Sequence, residues 1–324
     1  MDLMDVNGEA SASNLSSAMS TELSSNALSG TVRAPALHSH TVIVHTEYDI
    51  SAPPPLPGPE WTRFVCISDT HSRQFAVPEG DVLLHSGDLT NSGTYNGFRS
   101  TIEWLADLPH PHKIIIAGNH DLPLDQNDDW YEKNWERWHW PEKEDVSMIK
   151  ELLQGELATS ANILYLEDQK YEFRVKEGGR LWSVYGSPWS PDFYNWAFNY
   201  ERGLQAEKIV SSIPKTDILL THGPPFGILD ETITHEQVGC ETLAMRLATT
   251  LRPRLHVFGH IHEAHGALIQ EWDADGQGRA HGERTVFVNA ANWPMGPRAR
   301  PAPGESRIQF GERPFQPVIV DLLD

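Results

Sequence analysis

Two histidines two residues apart, His260 and His262, follow the apolar run Leu255-His256-Val257-Phe258. In extended backbone, residues i and i+2 project to the same side, about 6–7 Å apart along the chain. That separation suits ligands serving two neighbouring metal ions, which lie about 3.5–4 Å apart in two-metal sites. A histidine-rich surface loop has the same spacing, so the pair alone does not decide. Other clusters carry the same residue types: Asp69 and His71 in "SDTH", Asp88 in "SGD", Asn119 and His120 in "GNHD", and His222 in "THG". Carboxylate, amide and imidazole without thiolate form a hard-to-borderline set that suits Mn, Fe, Zn, Co or Ni. An iron–sulfur cluster or a structural zinc finger asks for cysteine.

A repeated grammar positions these residues. Short β-branched or aliphatic runs, typical of buried strands, each stop at one cluster. "RFVCI" runs into "SDTH", "DVLLH" into "SGD", "KIIIA" into "GNHD", "DILL" into "THG" and "LHVF" into "GHIH". Further strands are expected at 162–166, 180–185, 284–289 and 316–322, with helices at 97–108, 145–154, 204–213 and 237–251. Strands alternating with helices predict an α/β fold. In open α/β sheets, ligands bind beyond the carboxyl ends of the strands, where these clusters fall. Gly87, Gly118, Gly223 and Gly259 each adjoin a proposed ligand, at points where backbone must turn sharply or approach closely. Any one cluster arises by chance in many chains, but five in this order, each ending an apolar run, do not.

The chain has 324 residues and a formal net charge of -20, from 45 acidic and 25 basic side chains. Such a balance disfavours extended nucleic acid or an anionic membrane surface as partner. A small phosphate ester at a locally positive site remains compatible with it. Cys66 and Cys240 are the only cysteines, so no disulfide framework is expected and a reducing compartment fits. The opening residues have no basic and apolar leader pattern, and no run reaches the roughly 18 apolar residues a membrane helix needs. A cytoplasmic location is therefore expected. Residues 1–57 read as a separate segment: Ser/Ala-rich and disordered at first, with one short edge strand within 41–50, then a stiff proline-rich linker. Its His38, His40 and His45 read as solvated. A single domain is expected over 58–324, with a Trp-rich insertion at about 125–146 that forms either a lid beside the site or a self-packed cap.

The ordered motifs D-x-H, GD, GNH, TH and GHIH resemble the calcineurin-like metallophosphoesterase superfamily. "FVCISDTHS", "YGSPWSP", "DILLTHGPP" and "RLHVFGHIHE" are similar to its metallophosphoesterase-domain-containing, cyclic-nucleotide phosphodiesterase-like branch. The likeness covers about residues 61–292 and a closing strand near 316–322. It implies a four-layer αββα sandwich of two mostly mixed sheets flanked by helices, with the metal site at the C-terminal ends of strands. It also implies two divalent or transition metal ions. Asp69, His71, Asp88 and His262 hold the first; Asp88 bridges to the second, which Asn119, His222 and His260 complete. Two divalent cations, less two carboxylates and a hydroxide, leave a formal charge of roughly +1, which attracts phosphate even in an acidic protein.

The implied reaction is hydrolysis of small phosphodiesters, with cyclic nucleotides among the candidate substrates. The cations make a shared water acidic enough to attack phosphorus in line. His120 then donates a hydrogen bond to the phosphate or protonates the leaving oxygen. Asp121 either orients His120 or serves as a turn or cap residue. This chain has Asp121 where related GNHE motifs carry Glu, and keeps His260 where some members of the closer branch carry Gly. The complete ligand set favours an active enzyme. A phosphomonoesterase or phosphoprotein phosphatase on the same centre stays open, as does a metal-bound nucleotide-binding scaffold of low activity. Oligomeric state is not legible.

Other residues read as structural or stay open. His85 and His256 fall inside apolar runs and read as core, while His110 and His112 belong to a proline turn. Glu263 and His265 flank the site. Trp189 either stacks on a base or packs on the sheet. Arg298, Arg300, Arg307 and Arg313 make 294–315 a locally basic loop.

Overall fold

Each apolar run that ends in a polar cluster forms a strand in the computed structural model, which describes residues 36–139, 141–272, 283–301 and 306–324. Residues 1–35, expected to be disordered, lie outside the described residues. The first sheet uses β1 (Ala36–His38), β2 (Val42–His45), β3 (Trp61–Ile67), β4 (Val82–His85), β5 (His112–Ile115) and β6 (Ile163–Tyr165). After β7 (Gln169–Arg174) and β8 (Leu181–Ser187) comes a short pair, β9 (Ser190–Pro191) and β10 (Asn199–Tyr200). Then follow β11 (Ile218–Thr221), β12 (Leu255–Phe258), β13 (Gly266–Glu271), β14 (Arg284–Asn289) and β15 (Val318–Leu323). The described helices are α1 (Tyr95–Asp107), α2 (Trp130–Asn134), α3 (Glu136–His139), α4 (Val146–Gln154), α5 (Glu156–Ser160), α6 (Leu204–Ser211) and α7 (Glu241–Arg246).

The strands make two mixed sheets, ordered β1-β2-β15-β3-β4-β5-β6 and β13-β14-β12-β11-β8-β7. In the first, β3-β4-β5-β6 are parallel out to one edge and β15, β2 and β1 add antiparallel at the other; in the second, a parallel centre carries an antiparallel strand at each margin. The central strands are buried on both faces, which is why their mostly apolar runs read as nearly continuous. Phe64, Val82, Leu84 and Val320 on one sheet meet Val184, Leu220, Val257 and Val288 on the other in the middle of the sandwich. The opposite faces take helices: Val65, Leu83 and Ile115 pack with Ile102 of α1 and Ile149 of α4. Leu219, Phe258 and Phe287 pack with Val210 of α6 and Leu243 of α7. This is the expected αββα sandwich.

Three local results differ from the sequence reading. The strand expected within 41–50 as an edge is β2, and it lies between β1 and β15. Val42 and Val44 join the inter-sheet core, so the sheet reaches into the segment assigned to the N-terminus. The insertion of β15 between β2 and β3 is locked by Arg63, whose guanidinium donates two hydrogen bonds to its cross-strand partner Asp321 at 2.8 and 2.7 Å. β7 was not expected because "QKYEFR" buries only Phe173 and has no apolar run. The helix expected over 237–251 starts at Glu241, where the Cys240 side chain accepts the Leu243 N–H, and its last turn over 247–251 is wider.

Candidate metal centre

The polar clusters meet because they leave the same ends of the parallel strands. Asp69 and His71 follow β3, Asp88 follows β4, Asn119 and His120 follow β5, His222 follows β11, and His260 and His262 follow β12. The two sheets are tied together here by the Asn292 N–H, which donates to the Ser68 carbonyl at 2.9 Å. Reversal of direction so soon after a strand needs unusual backbone. Asp69 (φ 53°), His71 (φ 47°), Asp88 (φ 52°) and His260 (φ 68°) all take left-handed conformations, which non-glycine residues rarely adopt and which cluster at functional sites. Gly259 is required for space: a Cβ there would overlap the Asp69 carboxylate and the Ser68 hydroxyl.

Two groups of donors result. Ligand atoms of Asp69, His71, Asp88 and His262 all lie within 4.8 Å of one another, and this is a candidate metal site. Asn119, His222 and His260 stand beside it. His222 Nε2 and His260 Nδ1 each lie 2.8 Å from Asn119 Oδ1. Asp88 faces both groups, with Oδ2 3.6 Å from His71 Nε2 and Oδ1 3.5 Å from His222 Nε2. All seven residues named as ligands from the sequence are therefore brought together.

The arrangement fits cations. Both ring nitrogens of His71 are buried without a hydrogen-bond partner among the described residues, a costly state for a polar group unless something else is held there. The His222 Nδ1–H donates to the Ser86 carbonyl at 3.0 Å. With that bond made, Nε2 faces the Asn119 amide oxygen, an arrangement that a cation held between the two atoms would satisfy. Burial holds His71 well below the ordinary imidazole range, and burial likewise lowers His260 to about 3, so both rings are neutral and able to act as ligands. Burial works to raise Asp69, but the charge and hydrogen bond of His262 outweigh it and hold the carboxyl below the usual range. Burial works to lower His262, but Asp69 raises it overall. Their atoms, Nε2 and Oδ1, are 3.0 Å apart.

His120 stands at the rim of this cluster. Its ring meets His71 edge-on with centroids 4.6 Å apart, and its Nδ1–H donates to the Asn91 carbonyl at 2.7 Å. That bond fixes the tautomer and leaves Nε2 free. The alternative in which Asp121 orients His120 is not what the structure shows. The Asp121 carboxylate accepts the N–H groups of Leu89, Thr90 and Gly118 and the Thr90 hydroxyl. It therefore braces the loops that carry Asp88 and Asn119, and burial followed by the Asp88 charge pushes it up to about 7. The His120 ring is instead backed by Trp196, with centroids 4.4 Å apart and planes 32° apart. Trp196 is in turn covered by Trp138 of the insertion at 5.2 Å. Within the insertion Trp138 also packs against Trp130, with centroids 5.6 Å apart. Trp140 of the insertion lies outside the described residues.

Trp293 forms the other wall: it lies against His262 with centroids 5.6 Å apart and planes 15° apart, and 4.4 Å from His71. Sequence reasoning missed both Trp196 and Trp293. The one available signal was that Trp293, like the ligands, comes within a few residues of the end of a buried run, "VFVNA". Residues set aside mostly have structural partners. Trp189 donates from Nε1 to Asp168 at 2.7 Å and packs edge-on against Phe198, which favours the packing alternative. Glu263 accepts the Ile233 N–H, and the His265 Nδ1–H donates to the Ala291 carbonyl. Arg298 ties the basic loop down by donating to the carbonyls of His265 and Pro314. His110 is buried, its Nε2–H donating to Pro78.

Comparison with known proteins places this site in context. A family model described as calcineurin-like phosphoesterase matches residues 62–264, which contain every proposed ligand. Metallophosphoesterase domain-containing protein 1 of Homo sapiens is 42% identical over 240 residues, 72% of this chain and 67% of its own length. A UPF0046 protein of Caenorhabditis elegans is 36% identical over 223 residues, 64% of this chain and 53% of its own. A probable glycerophosphodiester phosphodiesterase of Arcobacter nitrofigilis is 26% identical over 198 residues, 59% of this chain and 60% of its own. Among the described residues, no helix is long and apolar enough to cross a membrane.

Proposed function

The chain belongs to the calcineurin-like phosphoesterase family, and from that premise we propose that it is a dinuclear metal-dependent hydrolase of small phosphodiesters. Membership implies a hydrolase acting on phosphoesters. The observation that carries the finer reading is the position of Asp88, one oxygen toward His71 and the other toward His222. A carboxylate so placed serves as the shared ligand of two cations. Asp69, His71, Asp88 and His262 hold one ion, and Asp88, Asn119, His222 and His260 the other. When bound, the pair supplies Lewis acidity, polarising phosphoryl oxygens and making water acidic enough to ionise near neutral pH.

The chain's own residues do the rest. His120, oriented through its Nδ1–H by the Asn91 carbonyl, presents Nε2 to the phosphate; with the ring protonated, Nε2–H would donate to the phosphate and pass that proton to the leaving oxygen, leaving the neutral Nδ1–H ring. Trp196 backs the His120 ring, and Trp293, stacked on His262, gives the site an aromatic wall that suits the base of a nucleotide. Support for a diester comes from the name of the bacterial relative and from the single negative charge a diester brings to a centre of roughly +1. Cyclic nucleotides are the first substrates to try, and manganese or iron the first metals; two buried free cysteines support a reducing, cytoplasmic setting.

The test is elemental analysis of the purified chain combined with rates on matched mono- and diesters. Two metal equivalents and faster diester turnover are expected. Asp88→Asn should lower the metal content to one or none and the rate by more than about 10²-fold. His120→Ala should keep both metals and lose roughly 10²–10⁴-fold. Faster monoester turnover would assign the centre to a monoesterase. Nucleotide binding with turnover indifferent to His120→Ala would make the protein a scaffold.

A further inference from the structure

The opposite ends of the second sheet's strands carry the reverse charge. A cleft of about 360 Å³ opens where β8, β11, β12 and β14 begin. Arg180, Lys215, Arg252, Arg254 and Arg284 line it, against the two carboxylates Asp217 and Glu283. In a chain of net charge -20 this is a local reversal of sign.

The carboxylates are already committed. Asp217 accepts the N–H and hydroxyl of Ser183 through Oδ2, at 3.0 and 2.8 Å, and pairs with Arg180 through Oδ1. Glu283 is divided between Arg252 at 3.2 Å and Lys215 at 3.5 Å. Arg284 pairs with Glu271, which does not line the cleft. Among the described residues Arg254 is in no ion pair, and the carboxylates Asp217 and Asp324 act on it only from a distance. It donates from Nη2 to the Leu323 carbonyl, while its Nη1 is buried with no hydrogen-bond partner among the described residues.

Arg254 and Arg180 each lie 5.0 Å from the centroid of the same indole, that of Trp182, so two like charges are held together. Burial, with Arg180 adding to it, outweighs Asp217 and Asp324 and pushes the half-buried Arg254 guanidinium down to about 10, still fully charged at neutral pH. A guanidinium with one buried nitrogen unsatisfied and a second cation beside it is unfavourable by itself. It becomes favourable when an oxyanion accepts from its planar fork, the geometry that arginine offers to phosphate. Among the described residues, Val42 is the one aliphatic residue in the lining and no aromatic ring contributes to it. Recognition there is by charge rather than by an apolar face.

We propose that this cleft is a second binding site, for a small, multiply charged oxyanion of the phosphate class, separate from the metal centre. The two sites are divided by the length of β12, about 13 Å for four residues, and the inference does not depend on the chemistry of the other end. Titration calorimetry with inorganic phosphate on the full chain, loaded with stoichiometric manganese, tests it. Two classes of phosphate binding are expected. Asp88→Asn should remove the class at the metal centre and leave the other. Arg254→Gln should remove the cleft class without changing the rate of diester hydrolysis. Because Arg254 also supports Trp182 and Leu323, the rim pair Lys215→Gln/Arg252→Gln provides a second reading. It should weaken the cleft class by about tenfold or more with an unchanged melting temperature. A single class of phosphate site, abolished by Asp88→Asn and indifferent to both cleft variants, overturns the proposal.

Discussion

The two ends of β11 and β12 differ in how they use space. At the carboxyl ends, imidazoles and carboxylates crowd together on left-handed backbone, and Gly259 is the only residue size that clears Asp69. At the amino ends, Lys215, Arg252 and Arg254 reach into an open cleft on long side chains. The strand between is the same apolar rod, buried on both faces. One end is therefore limited by geometry and the other by electrostatics, and the same substitution should have different consequences at each.

The sharpest way to break that contrast is a single added methyl group. Gly259→Ala should cost the metal centre its ions and more than about 10²-fold in rate, read by elemental analysis and turnover. Phosphate binding in the cleft should stay intact. Retention of both ions and full activity would mean that crowding does not shape this end. A smaller effect is expected from Trp196→Ala, which removes the backing of His120 without touching a ligand. A fall of about tenfold in kcat at unchanged KM is expected, with recovery in Trp196→Phe. An effect on KM alone would make Trp196 a substrate contact instead of a positioning residue.

The smallest effect concerns the rod itself. Burial lowers His256, within β12, to about 3, and His110 to about 4. In the unfolded chain both titrate near 6.5. Their folded pKa is depressed, so the stability tied to the neutral rings is complete above pH 6.5 and is lost as pH falls toward 4 and 3. Thermal unfolding followed from pH 7 to 4 should show a decline of roughly a few degrees, with a shallower slope in His256→Gln. A pH-independent melting temperature in that range would remove these histidines from the account.

Much of the geometric end was readable in the sequence because each ligand follows a run that only a buried strand explains. The family's order of motifs added the pairing of ligands, which periodicity could not supply. The cleft end was equally present and went unread. Arg180 precedes β8, Lys215 precedes β11, Arg252 and Arg254 precede β12, and Arg284 opens β14. A cation before a strand is ordinary on any protein surface, and only topology brings four such positions together. The neighbour of His120 was hidden for a related reason. Trp196 lies on a loop after β9, far along the chain from "GNHD", and nothing in its local pattern separates it from Trp189, which turned inward. The place of β15 was also invisible, since sequence order does not say which pair of strands a late one will part.

That late strand has a consequence for how the molecule is made. Arg63 and Asp321 are joined across 258 positions, so the flank of β3 that receives β15 emerges from the ribosome long before its partner. Until residues 318–323 are synthesised, β2 and β3 each expose a row of unpaired amides and carbonyls, and Asp69 and His71 hang from a strand secured on one side only. The nascent chain is thus vulnerable to stray pairing until residues 318–323 are made, and a metal site assembled earlier would still wait on them.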